Sequence, residues 1–144
     1  MAIQVETNQF SAQVLAHLHP ASLKCYPTLA SDVALVCGDG APWTLSAFTE
    51  IVPASTIASN FDIIGIVISG AAQDQYELVL YYGASDVEFG RVRFASAAAG
   101  THVGFIPFES PMIAANSKIR AKLAGLAGVD ESGCGISVVY HIHS

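Results

Sequence analysis

Histidine occurs twice in the spacing His-X-His, as His17-Leu18-His19 and as His141-Ile142-His143. On a strand, residues two apart project to one face, so each pair can aim two imidazole nitrogens at one point. A known jelly-roll metal motif built on such a pair also uses a glutamate shortly downstream, and neither pair has that partner. Both pairs are therefore read as solvent-facing or interface histidines, with no metal and no cofactor assigned.

The basic residues form the second chemical pattern. Arg91 and Arg93 make one short ladder, Lys118, Arg120 and Lys122 make another, and Lys24 stands apart. Alternate cations along a strand build a one-sided positive face. Such a face can dock an acidic protein surface or phosphates, pair with acids of a neighbouring strand or subunit, or stay solvated to discourage edge-to-edge aggregation. These five residues are the candidate interaction face, and no residue is assigned a catalytic role. Gly-X-Ser-X-Gly is absent, as is any cysteine-protease signature, and Gly38-Asp39-Gly40 lacks the glycine and lysine of a phosphate loop. A non-enzymatic protein is expected. Trp43 and the tyrosines and phenylalanines can supply a sugar-stacking platform or fill a core, and the second use is the commoner one.

The elements that carry these residues read as β throughout. Gln75 to Tyr82 alternates Tyr76, Leu78, Leu80 and Tyr82 against Glu77, Val79 and Tyr81. Gly83, Ser85 and Asp86 then make a turn, and residues 87–94 return, which is the signature of a hairpin. Residues 33–37 form a compact buried strand that ends at the Gly38-Asp39-Gly40 turn. Residues 43–48 alternate as a strand, and 51–57 are extended around Pro53. Residues 61–69 are apolar on both faces, with Phe61, Ile63, Gly65 and Val67 opposite Ile64, Ile66 and Ile68. A central strand is predicted there. Further strands are predicted at 101–108, 117–124 and 136–143, with loops at 95–100 and 125–133. Residues 23–29 are strand or loop broken by Pro27, and 3–7 are an edge strand or arm. Residues 11–19 fit a short helix or a strand. The sum is an all-β, antiparallel sandwich of about eight strands, jelly-roll-like, with an immunoglobulin-like sandwich as the alternative. One domain over residues 1–144 is expected, with 1–20 as an extended N-terminal arm.

Composition sharpens this. Of 144 residues, 52% are hydrophobic and only 12% are charged, against roughly 25% charged in ordinary domains. The apolar run at 63–68 is far short of the roughly 20 residues of a membrane span, so the surplus points to protein partners and not to a membrane. The net charge of −6 argues against nucleic acid as a partner. Residues 1–6 lack the features of a secretory leader. Cys25, Cys37 and Cys134, odd in number and irregular in spacing, are expected as free thiols of a protein made in a reducing cytoplasm.

Residues 51–57, 61–63, 76–83 and 88–94 resemble, in their phrasing, small structural proteins of tailed-phage virions. The ending resembles them too, with Ala114-Ala115-Asn116-Ser117-Lys118-Ile119-Arg120-Ala121-Lys122-Leu123-Ala124, a glycine-rich loop and residues 136–143. The likeness covers roughly residues 43–143. It implies a β-sandwich part of a bacteriophage virion, made in the host cytoplasm. The type that best fits this length is a capsid cement or decoration protein, a homotrimer that contacts the major capsid protein. Tail- or fibre-associated proteins, carbohydrate-binding adhesion modules and cupin-like metal proteins are the alternatives.

Overall fold

The computed structural model describes residues 23–100, 102–128 and 132–143. The expectations for the 1–20 arm, for residues 11–19 and for His17 and His19 lie outside the described residues. Nine strands follow in order: β1 (Leu23–Tyr26), β2 (Val33–Val36), β3 (Thr49–Val52), β4 (Asn60–Ser69), β5 (Asp74–Tyr82), β6 (Val87–Ser96), β7 (Gly104–Pro107), β8 (Ile119–Gly125) and β9 (Gly133–His143). A single 3-10 turn at Leu29–Ser31 separates β1 from β2.

All pairings are antiparallel, and they make two sheets. The first runs β1-β9-β4-β7, with β2 also on β9, and the second runs β3-β8-β5-β6. β1 lies beside the far half of β9 and β2 beside its near half, so the two act as one edge strand broken after Pro27. Counted that way, only the β5–β6 hairpin joins neighbours within a sheet. Every other connection crosses between sheets, which is the jelly-roll arrangement.

The core lies between the sheets. Phe61, Ile63, Ile66, Ile68, Ile136 and Val138 of the first sheet are fully buried, facing Tyr76, Leu78, Ile119, Ala121 and Leu123 of the second, also fully buried. Burial of such side chains contributes about 1.5–3 kcal/mol each for the larger ones. The β5–β6 hairpin has the expected faces. Tyr76 is buried, stacks on Phe94 at 5.0 Å and donates its hydroxyl to the Ala72 carbonyl at 2.8 Å. Gly83 and Asp86 take positive φ in the turn, 77° and 51°.

Three expectations are corrected. Residues 43–48 are not a strand: Trp43 has φ 63°, and the segment is a loop laid beside β8. Its alternation is real, but it meets β8 through isolated backbone bonds to Leu123 and Gly125 and forms no ladder with it. In β4 the register shifts between Ile63 and Gly65. The bulge turns Ile66 and Ile68 to the side that Phe61 and Ile63 occupy, whereas strict alternation opposes them. Gly65 also accommodates the Phe105 ring, which sits where its Cβ would be. β9 begins at Gly133, earlier than the expected 136.

The cysteines are free, with Cys37 and Cys134 buried and Cys25 half-buried. Burial pushes the Cys37 thiol up to about 11, with the Asp74 carboxylate adding to the rise, and burial pushes Cys134 up to about 12. Both thiols stay neutral in the folded chain while the unfolded chain ionises from its ordinary value of 9.0 upward. Buried Tyr76 is raised by the same cause. The contribution of these groups to stability is thus fully present below pH 9 and is lost progressively as pH rises through 11 and 12. Urea midpoints are expected to be level from pH 7 to about 8.5 and to fall between pH 9 and 11; a flat profile to pH 11 would contradict the burial of these thiols.

Candidate interaction face

Alternation along β8 buries Ile119, Ala121 and Leu123 and sends Arg120 and Lys122 to the outer side of the second sheet, and Lys118, just before the strand, joins them beside Asp86. β5 is its neighbour, with Tyr81 opposite Arg120 and Val79 opposite Lys122. β6 lies on the other side of β5, with Val79 opposite Arg91 and Glu77 opposite Arg93. The two cationic ladders, separate in sequence, therefore share one face and flank the outward residues of β5.

The face is ion-paired and is not a bare positive patch. Glu77 takes Arg91 and Arg93, each at 2.9 Å, and Glu88 takes Arg91 at 2.5 Å. Asp86, in the hairpin turn, accepts from Arg120 Nε at 2.7 Å and from a second guanidinium nitrogen, with Lys118 Nζ 3.8 Å away. The Arg120 guanidinium holds the Asp86 carboxyl below its ordinary value, and Arg91 does the same for Glu88. Each such surface pair adds only about 0–1 kcal/mol to stability. Their consequence is geometric: the guanidinium planes are fixed. Lys122 makes no ion pair among the described residues; its ammonium lies 4.3 Å over the Phe48 ring.

Aromatic rings complete the face, and sequence reasoning missed them there. The 38–48 loop is pinned to β8 by backbone bonds from Gly38 and Ser46 to the Leu123 carbonyl, at 3.2 and 2.9 Å, and from Trp43 to Gly125 at 2.8 Å. The Ser46 hydroxyl accepts the Leu123 amide at 3.1 Å. This brings Trp43 under Arg93, with the guanidinium carbon 4.5 Å from the ring centroid, and Phe48 under Arg120 at 4.0 Å. Phe48 also meets Tyr81 edge-on at 4.9 Å. Val79 and Ala124 point outward yet are 0% and 1% exposed, so this side of the sheet is roofed by its own aromatic and cationic side chains.

His141 and His143 lie elsewhere, on the outer side of the first sheet beside Asp62. The exposed apolar side chains, among them Leu29, Val36, Phe105 and Met112, are scattered over several elements.

No protein-family model matches the chain, and no curated protein matches it. Among solved structures it is similar to one of the infectious bursal disease virus Gx strain, at 15% identity and TM-score 0.41, over 84% of this chain and 32% of that one. It is similar to the VP2 subviral particle of the same virus at 15% identity and TM-score 0.40, over 84% and 33%. It is also similar to an acetyl xylan esterase from the rumen bacterium Butyrivibrio proteoclasticus, at 13% identity and TM-score 0.30, over 83% and 31%. The chain spans about a third of the length of these proteins. At these scores the likeness carries no argument about activity, and the fold assignment rests on the strand order. No helix among the described residues is long and apolar enough to cross a membrane.

Proposed function

We propose that this chain is a structural protein of a virion, of the capsid cement or decoration kind, which acts through its surface without catalysis. The observation that carries the reading is the outer face of the second sheet. Trp43, Phe48 and Tyr81 are interleaved with Arg93 and Arg120, and the guanidinium groups are held in place by Glu77 and Asp86. Aromatic residues and arginine are the residue types enriched at the cores of protein–protein interfaces and at their hot spots. A rigid, charge-balanced face loses little side-chain entropy when it docks. The jelly-roll strand order, an architecture that recurs in viral capsids, and the phrasing of residues 43–143 support the same reading. So does a composition 52% hydrophobic, more than a small core needs.

Mechanism in this reading is thermodynamic. A protein that binds the assembled shell and not its free subunits stabilises the shell by mass action, and many copies act together through avidity. The chain is proposed to work as a trimer with the major capsid protein as partner, located in the particle. Use of this face for sugar is disfavoured, because Arg93 already stacks on the Trp43 ring.

The test is solution mass by light scattering, run beside the double variant Trp43→Ser/Arg93→Ser. Expected is a trimer that the double variant converts to smaller species while its unfolding free energy from urea melts falls by no more than about 2 kcal/mol. A wild-type monomer at high concentration would sink self-association. A trimer indifferent to the variant would move the interface off this face.

A further inference from the structure

We propose that Asp62, His141 and His143 form a binding site for a divalent transition-metal ion of the zinc class. β9 sends His141 and His143 to one side, away from buried Tyr140. β4 pairs with this end of β9, with Asp62 opposite His141 and Asn60 opposite His143. The carboxylate that the His-X-His spacing lacks nearby in sequence is thus supplied across the sheet.

The donor atoms converge on one point. Asp62 Oδ1 is 2.6 Å from His143 Nε2 and 3.5 Å from His141 Nδ1, and the two ring nitrogens are 3.3 Å apart. Zinc binds imidazole nitrogen and carboxylate oxygen at about 2.0–2.2 Å, and a tetrahedron of that size has edges of about 3.3–3.5 Å. Two of the three edges already have this length. The third, at 2.6 Å, is the length of a charge-assisted hydrogen bond, and it opens by roughly 0.8 Å when an ion replaces the shared proton. A proton can serve two of these donors at a time, whereas a divalent ion serves all three.

The side chains are 20–36% exposed, which leaves a fourth position open to water or to a donor from a partner. Two imidazoles and one carboxylate suit zinc, cobalt(II), nickel(II) and iron(II), and not magnesium or calcium. An ion here staples β4 to β9, the two central strands of the first sheet. The inference is independent of the proposed virion role.

The experiment is calorimetric titration of tag-free, chelator-stripped protein with zinc chloride, paired with cobalt(II) chloride read by visible absorption. Expected are one ion per chain, the strong visible bands of tetrahedral cobalt, and a rise in Tm of about 5–10 °C at zinc concentrations near a hundred times Kd. Asp62→Asn keeps shape and hydrogen bonding, so it tests the carboxylate without threatening the fold; it and His141→Asn are each expected to weaken zinc at least about tenfold. Circular dichroism melts of the stripped variants check folding. No binding at 100 micromolar free zinc, on the order of the weakest useful site, would overturn the proposal. So would unchanged stoichiometry and affinity in His141→Asn/His143→Asn, which would place the ion on other histidines.

Discussion

Gly38→Ala is expected to cost about 2–4 kcal/mol of stability, at and above the upper end of the roughly 1–3 kcal/mol typical of overpacking, because the neighbours here are backbone that cannot swing aside. That loss lowers Tm by about 5–15 °C in a domain of this size. A Cβ on Gly38 would sit 2.3 Å from the Thr44 carbonyl oxygen and 2.6–2.7 Å from the Leu45 carbonyl group. These are backbone atoms of the same loop, and the loop is tied to β8 through the amides of Trp43 and Ser46. A side chain could swing aside, but this backbone moves only by breaking those bonds. Relief therefore means lifting residues 43–48 off the sheet, and Trp43 and Phe48 go with them. Trp43 is the only tryptophan, so its emission reports the event directly. Gly40→Ala is the control. Gly40 has φ 113° and open space around it, so that change introduces backbone strain of about 1–2 kcal/mol without a collision. Urea melts followed by tryptophan emission should rank Gly38→Ala well below Gly40→Ala, with a shifted native emission for Gly38→Ala alone. The reverse ranking would mean that the loop's close approach is not what holds the face together.

The same loop shows where reading from sequence stops. Ladder residues were legible because period two is a local property: once β8 is a strand, Arg120 and Lys122 must share a side, and so must Glu77, Val79 and Tyr81 on β5. The acids among them depend on sheet order. Glu77 reaches Arg91 and Arg93 because β6 is the neighbour of β5, and Asp86 reaches Arg120 because β8 is the other neighbour. Residues 43–48 mimic a strand in their alternation, yet their amides bond to two carbonyls near the end of β8 and to no ladder. The bulge beyond Ile63 was hidden because apolar residues occupy both sides of β4, so the pattern has no polar face to mark the slip. Asp62 escaped notice for a related reason. Its partners are set by the pairing of β4 with β9, and nothing near His141 in sequence announces it.

Phe61→Ala is expected to cost about 3–5 kcal/mol, while Asp62→Asn, one residue along, stays within about 1 kcal/mol without metal. Phe61 is 0% exposed and meets the Tyr140 ring edge-on at 5.8 Å. Its amide and carbonyl both bond to Ile113, at 3.0 and 2.7 Å, which ties the segment before β8 onto β4. Truncation removes the ring and leaves a hole between two central strands, where surrounding backbone is held on both sides and collapses poorly. Phe61→Leu refills most of the volume and should recover more than half of the loss. Urea denaturation of the three variants checks the order. Asp62 is the comparison because it belongs to the same strand but faces outward, where its carboxylate pairs with His141 and His143. If Phe61→Ala also weakens zinc while Phe61→Leu does not, the inner face positions the outer one. An unchanged zinc affinity in a clearly destabilised Phe61→Ala would show instead that β4 and β9 keep their register through backbone pairing, and that the donors are held by the sheet ladder and not by the core beneath it.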